Sequence, residues 1–249
     1  MAILRVDTIE PEGATTNLAI GETGGNIDVA GNDIRANVLQ DSGGNAIFTS
    51  DGSGNLSGVN AGFGSDMALL LTTTVSTAVQ YITFSSTYIT STYKEYWIKF
   101  YNIHPVSNAQ DFRMEVSEDN GTDLYNGVNI LSSYFLSTHD NANGQDVFIQ
   151  DTYGAKRNAT GVQVLLRQQG NGTLSGGGKM SCCGDFHLYN PGGTTTKKVW
   201  IARMHRGDDY AQDIFVQGVF NQVGAVNALR FGFASGNIDH GIVKLYGIK

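Results

Sequence analysis

Much of the chain alternates apolar and polar residues with a period of two, which is the pattern of half-buried β-strands. In residues 111–117 the apolar residues Phe112, Met114 and Val116 share one face. Strands are also predicted at residues 67–71 and 79–84. The same sharing of one face recurs in six later sets: Val162, Val164 and Leu166; Met180, Cys182, Phe186 and Leu188; Val199 and Ile201; Ile214, Val216 and Phe220; Leu229, Phe231 and Phe233; Ile242, Tyr246 and Ile248.

Turn signals rich in Gly and Asn separate these predicted strands. They lie at residues 118–121, 141–144, 170–172, 190–193 and 235–237. About ten short strands at such spacing favour an antiparallel two-sheet sandwich or jelly roll. The predicted fold class is therefore all-β.

Two segments depart from simple alternation. Residues 96–103 are apolar on both faces, which is typical of a strand that is covered on both sides or faces a subunit interface. Residues 128–135 fit either a short helix or another strand.

The composition changes near residue 65. Residues 1–65 contain no Trp or Tyr and only two Phe, and a Gly- and Asn-containing stretch at 58–65 has the character of a linker. We therefore expect an N-terminal segment of residues 1–65 and a C-terminal sandwich domain of residues 66–249.

The N-terminal segment offers little apolar bulk. Isolated apolar residues stand between Gly-Asn turns, namely Ile27, Val29, Ile34, Val38, Ile47 and Leu56. At roughly 1.5–3 kcal/mol per buried side chain, one copy does not offset the ordering of the segment at about 1 kcal/mol or more per residue. The segment is then either disordered or shared between chains. The regular Ile and Val spacing favours an intertwined stem of short strands, with these six residues in the oligomer core.

Composition and charge narrow the classes of partner. The 249 residues include 32 Gly and only 3 Pro and carry a net charge of −7, which speaks against nucleic acid or an anionic membrane as a partner. No apolar run approaches the ~20 residues of a membrane span. The opening residues have no signal-peptide core, and the adjacent Cys182 and Cys183 form no disulfide framework. We expect synthesis in a reducing cytoplasm.

The sequence carries no enzyme motif and predicts no cofactor or metal. The five His residues are dispersed without metal-ligand spacing, and residues 176–179 depart from a phosphate-binding loop at two required positions. Residues 118–123 have the oxygen ligands of a calcium loop without its register, so a hairpin turn is favoured. The Arg206-Gly207-Asp208 tripeptide is short enough to arise by chance, and Cys182 and Cys183 are expected on opposite faces of one strand.

Surface aromatic residues near turns are candidates for binding glycan, because sugar rings pack on flat aromatic faces. The candidates are Tyr134, Tyr153, Trp200 and Tyr210. Ordinary packing or a subunit interface is the competing interpretation.

Several stretches resemble tail-fibre-like virion proteins of tailed phages, especially marine and cyanobacterial ones, and a jelly-roll-like module found in them. These stretches are residues 1–9, 97–105, 116–121, 184–191, 228–238 and 241–249. The resemblance implies a virion component, often a homotrimer, and supplies no catalytic site.

The resulting expectation is a trimeric tail fibre or receptor-binding protein. The N-terminal segment would attach to other virion proteins, and the C-terminal domain would engage a host surface glycan. A capsid decoration or head-fibre protein with a purely structural role is the alternative.

Overall fold

The structure is a computed structural model that describes residues 38–40, 43–50, 53, 56–59, 66–122, 125, 127–140, 144–149, 154–169, 180–207 and 210–249. The chain divides into two compact units, Met1–Phe63 and Gly64–Lys249; the sequence placed this division at residue 65. No helix occurs among the described residues, and none there is long and apolar enough to cross a membrane.

The N-terminal unit contains a three-stranded antiparallel sheet. Its strands are β1 (Val38–Gln40), β2 (Ala46–Ser50) and β3 (Leu56–Val59), in the order β1-β2-β3. Gly44 has a φ of 82° at the β1–β2 turn, a conformation that favours glycine. Val38 is exposed and Ile47 is half-buried, while the predicted core residues Ile27, Val29 and Ile34 and the side chain of Leu56 lie outside the described residues.

The C-terminal unit contains one large sheet and one small sheet, both antiparallel. The large sheet comprises β4 (Met67–Val75), β6 (Glu95–Pro105), β8 (Ile130–Asp140), β9 (Gln145–Ile149), β10 (Arg157–Ala159), β12 (Ser181–Tyr189), β13 (Lys198–Gly207), β14 (Tyr210–Phe220) and β16 (Ile238–Ile248). The small sheet comprises β5 (Tyr81–Phe84), β7 (Gln110–Ser117), β11 (Gln163–Gln169) and β15 (Ala228–Phe233).

The strand order gives this unit a jelly-roll-like connectivity. The large sheet runs β10-β8-β14-β13-β12-β6-β16-β4, with β9 also paired to β8, and the small sheet runs β11-β7-β15-β5. The chain passes repeatedly from one sheet to the other, and the meander β12-β13-β14 widens the large sheet. The predicted all-β antiparallel sandwich is therefore confirmed, and residues 130–135 of the ambiguous segment belong to strand β8 (Ile130–Asp140).

Aromatic side chains fill the space between the sheets. Phe100 of β6 contacts Phe112 of β7 and Phe231 of β15, with ring centroids 5.3 and 5.0 Å apart. Phe186 of β12 also contacts Phe231 at 5.6 Å. Each of these rings is almost fully buried, so the two sheets share one hydrophobic core.

Polar side chains connect the sheets at the margin of this core. Gln163 of β11 is fully buried; it accepts a hydrogen bond from Ser132 of β8 and donates to the carbonyl oxygen of Gly154. Lys198 is also buried and donates to the carbonyl oxygens of Thr196 and Val223. Burial lowers the pKa of the Lys198 ammonium, which nearby Glu118 partly offsets.

On two strands, the apolar face that the sequence pattern identified is the face directed toward solvent. Val199 and Ile201 of β13 share a face, as do Ile242 and Tyr246 of β16, but the buried residues of these strands are the intervening ones. Those buried residues are Trp200, Ala202, Met204, Val243 and Leu245. Both strands thus carry apolar residues on both faces, as the sequence indicated for β6, although Arg203 and Lys244 share the outer face.

Cys182 and Cys183 lie on opposite faces of β12, as predicted. Cys182 is buried in the core and Cys183 is half-buried on the other face. Burial, with a smaller effect of the Cys183 charge, raises the pKa of the Cys182 thiol far above its ordinary value. Since the thiolate is the reactive form, only Cys183 should react in the folded protein.

We expect Ellman's reagent at mildly alkaline pH to modify one thiol quickly in the native chain and both thiols after denaturation. The variant Cys183→Ser should lose the fast phase, whereas Cys182→Ser should keep it. Fast labelling of Cys182 in the folded Cys183→Ser variant would contradict this placement.

Candidate interaction surface

Two of the four predicted glycan-binding residues are buried, so their assignment to the surface is wrong. Trp200 points into the core, where its ring stacks near Phe186 and Phe220 with centroids 5.8 and 5.9 Å away. A Cβ added to Gly218 of the neighbouring strand would lie 2.3 Å from this ring, so glycine provides the space that the indole fills. Tyr134 is buried and packs in the same way against Gly154.

The other two candidates, Tyr153 and the side chain of Tyr210, lie outside the described residues. The two candidates that the structure describes, Tyr134 and Trp200, are therefore both away from the surface. Trp200 and Tyr134 pack inward where Gly218 and Gly154 leave space for their rings.

The outer face of the large sheet, directed away from the small sheet, is unusually apolar. The described part of the chain has thirteen exposed large apolar side chains, and eight of them lie on this sheet. These eight are Met67, Leu69, Tyr101, Leu131, Phe135, Val199, Phe215 and Ile242. Large contiguous apolar patches on a protein surface mark sites of interaction with other molecules.

One half of this face forms an apolar patch, here called the outer patch, made of Leu131, Phe135, Val199, Phe215 and Val219. In the strand register Val199 lies opposite Val219, which lies opposite Leu131. Phe215 lies opposite Phe135 and forms a second apolar row. The patch therefore consists of one apolar ridge across three strands and a second across β14 and β8, where Arg203 is the β13 partner of Phe215.

A shallow groove runs along the first ridge of the outer patch. Its volume is about 370 Å³, and it is lined by Leu131, Ser132, Ser133, Val199, Gln217, Gly218 and Val219. None of these residues carries a charge. The groove is thus suited to an apolar side chain and offers hydroxyl and amide groups at its base.

An exposed ion pair lies beside the outer patch. Arg203 donates hydrogen bonds from Nε and Nη2 to the two carboxylate oxygens of Asp213, at 2.9 and 2.7 Å. These hydrogen bonds lower the pKa of the Asp213 carboxyl. A pair this exposed contributes little to stability, and its two charges cancel at the margin of the apolar surface.

The other half of the outer face carries a row of aromatic rings on β6, β12 and β16. Trp97 lies between His187 and Tyr246, with ring centroids 5.3 and 5.8 Å away. The ammonium of Lys99 lies 4.6 Å from the centroid of the Trp97 ring. Because neighbouring groups occupy the faces of Trp97, this row presents ring edges rather than an open platform for a sugar.

Carboxylates are adjacent to the same row. Nδ1 of His187 is 2.5 Å from Oε1 of Glu95, and its Nε2 is 3.9 Å from Oδ1 of Asp185. These groups orient the imidazole between two acidic side chains. The aromatic half of the face is therefore polar at its margin.

The predicted turn at residues 118–121 is present. Asn120 and Gly121 have φ values of 61° and 74°, and Oδ1 of Asp119 accepts hydrogen bonds from the backbone N–H groups of Gly121 and Thr122. Internal donors thus engage this carboxylate, as in a turn. Among the described residues no group of three or more His, Cys, Asp or Glu side chains is placed to hold a metal.

Reasoning from the sequence missed the outer patch, although one signal was available. Residues 199–202 read Val-Trp-Ile-Ala, an unbroken apolar run of the kind that fits a strand covered on both faces. Phe215 and Phe135 gave no such signal, because each is an isolated ring opposite a well-defined core face.

Comparison with known protein families, with curated proteins and with solved structures finds no match to this chain.

Proposed function

We propose that the chain is a structural protein of a tailed-phage virion that works as a homotrimer of the tail-fibre type. The N-terminal segment would attach it to other virion proteins, and the sandwich domain would form part of the projecting assembly. The sequence resemblance supplies the virion context, and the architecture of the sandwich supplies the argument for assembly.

The observation that carries this proposal is the apolar outer face of the large sheet. A sandwich that works alone in water keeps one face of each sheet in the core and the other polar. Here β13 and β16 carry apolar residues on their outer as well as their inner faces, and most of the described exposed apolar side chains lie on this sheet. A covering partner explains this distribution, and a multimeric structural protein provides one.

A purely structural role as a capsid decoration or head-fibre protein is the second candidate. The burial of Tyr134 and Trp200 favours it, since it removes two residues proposed to engage host glycan. Glycan binding as part of the first candidate then depends on Tyr153, Tyr210 or other surface groups.

Location in the particle tests both candidates. Antibodies against the recombinant chain would be applied to purified particles of the encoding phage and visualised by gold labelling in electron microscopy. We expect label on the tail; label on the head would favour the second candidate. Absence of both label and peptides of this chain from purified particles would reject the virion assignment.

A further inference from the structure

We propose that the outer patch is a self-association interface that packs against the large-sheet outer face of a second copy of this chain. The inference deepens the proposed function and depends on it for the number of copies. It assigns the contact to Leu131, Phe135, Val199, Phe215 and Val219, with the groove beside Val199 receiving an apolar side chain of the other copy.

The dimensions of the face suit a stable interface. Strands lie about 4.8 Å apart and rise about 3.3 Å per residue. The eight strands of the main path, most of nine to eleven residues, therefore present a face of roughly 1,000 Å². A stable protein interface buries about 800 Å² on each partner, so the contact has to extend from the outer patch over most of this face.

The charge distribution makes the outer patch the place where a second copy can bind with least repulsion. The chain carries a net charge of −7, so two copies repel one another at most relative orientations. The outer patch lacks charged residues, and Asp213 at its margin is neutralised by Arg203. Contact through this region therefore avoids the repulsion that other parts of the surface impose.

The apolar character of the patch also restricts the chemistry of the partner. An uncharged ridge-and-groove surface gains affinity from apolar side chains in close contact, with hydrogen bonds at the rim. The second copy carries the same exposed apolar side chains on its own large sheet. The ridges formed by Phe215 and Phe135 provide aromatic groups of the kind that dominate interface energetics.

Sedimentation velocity of the full chain at micromolar concentration provides the test. We compare Val199→Glu with the matched control Val106→Glu, because Val199 and Val106 are 48% and 47% exposed and Val106 lies outside the large-sheet strands. The wild-type chain and Val106→Glu should sediment as the same oligomer. Val199→Glu should weaken association at least ~100-fold, because it places an unpaired carboxylate in a desolvated contact.

A photo-crosslinking experiment locates the contact independently of whether Val199→Glu folds. Benzoylphenylalanine at position 215 should give cross-linked peptides from the large-sheet strands of a second copy, and the same group at position 106 should give none. Val199→Glu that folds and associates like the wild type would overturn the proposal. Cross-links confined to residues 1–63, or a wild-type chain that stays monomeric up to about 100 µM, would do the same. Absence of the chain from virions would reject the proposed function while leaving this interface standing.

Discussion

Replacing Trp200 by Ala is expected to destabilise the C-terminal unit by about 3–5 kcal/mol, the range for removing a large buried aromatic side chain. Trp200 is fully buried, and its indole stacks with Phe186 and Phe220. The side chain also fills the space that Gly218 leaves open, so its removal creates a cavity that the flanking rings close only in part. Equilibrium unfolding in guanidinium, followed by tryptophan fluorescence of Trp97 and by circular dichroism, measures the loss.

Lys197→Ala is the matched control, because Lys197 is an exposed residue that directly precedes β13, the strand that carries Trp200. Its free energy of unfolding should lie within about 0.5 kcal/mol of the wild-type value, as is usual for surface substitutions. If Trp200 were a surface residue that binds glycan, its removal would leave the unfolding midpoint unchanged. A Trp200→Ala variant with wild-type stability would therefore contradict the placement of Trp200 in the core.

The overall fold was accessible from the sequence because strand alternation and turn chemistry are local signals. Asn120 and Gly236 have the positive φ values that their turns require, and turns of this kind are specified by a few adjacent residues. The strands flanked by such turns, including 110–117 and 228–233, follow directly. Alternation also placed the core faces of β7, β12, β14 and β15 correctly.

Which face of an apolar strand turns inward was harder to predict, because the answer lies on neighbouring strands. Alternation grouped Val199 with Ile201 but did not indicate that the intervening Trp200 has a glycine opposite it. That glycine, Gly218, is eighteen positions away along the chain and comes into contact through the register of β13 and β14. The side that can accept an indole becomes visible only once this register is known.

The candidate surface was unpredictable for a related reason. The outer patch takes Leu131 and Phe135 from β8, Val199 from β13, and Phe215 and Val219 from β14, and each contribution is small when taken alone. Their combination depends on the antiparallel pairing of three strands. The sequence indicated two-sided apolar character for β6, and the structure extends this character to β13 and β16 and so over much of the sheet.

A second large effect is expected at a cross-strand ion pair on the outer face of the small sheet. Arg230 of β15 and Glu115 of β7 are direct register partners, and Arg230 donates to Oε2 of Glu115 from Nε at 2.8 Å and from Nη2 at 2.5 Å. The guanidinium also lies 4.1 and 4.4 Å from the ring centroids of Tyr81 and Tyr125. The two aromatic rings and the carboxylate together hold the Arg230 guanidinium at a site that is largely shielded from solvent.

Arg230→Met should destabilise the unit by roughly 2–4 kcal/mol, because it leaves the Glu115 carboxylate buried without its partner. The side chain of Glu115 is only 10% exposed, so solvent compensates little of this loss. The double variant Arg230→Met with Glu115→Leu should recover most of the stability, because replacing both members of a buried pair by apolar groups is often neutral. Guanidinium unfolding of the two single variants and the double variant measures the coupling between the residues.

Arg203→Met provides a control with the same chemistry in a different environment. Arg203 donates from Nε and Nη2 to Asp213, as Arg230 does to Glu115, although it contacts two carboxylate oxygens rather than one. The side chains of Arg203 and Asp213 are both exposed, at 58% and 44%. Water can solvate the carboxylate left behind, so this variant should unfold almost like the wild type. Equal losses of unfolding free energy for Arg203→Met and Arg230→Met would show that the burial of Glu115 does not determine the size of the loss. This result would contradict the conclusion that Arg230 stabilises the buried carboxylate of Glu115.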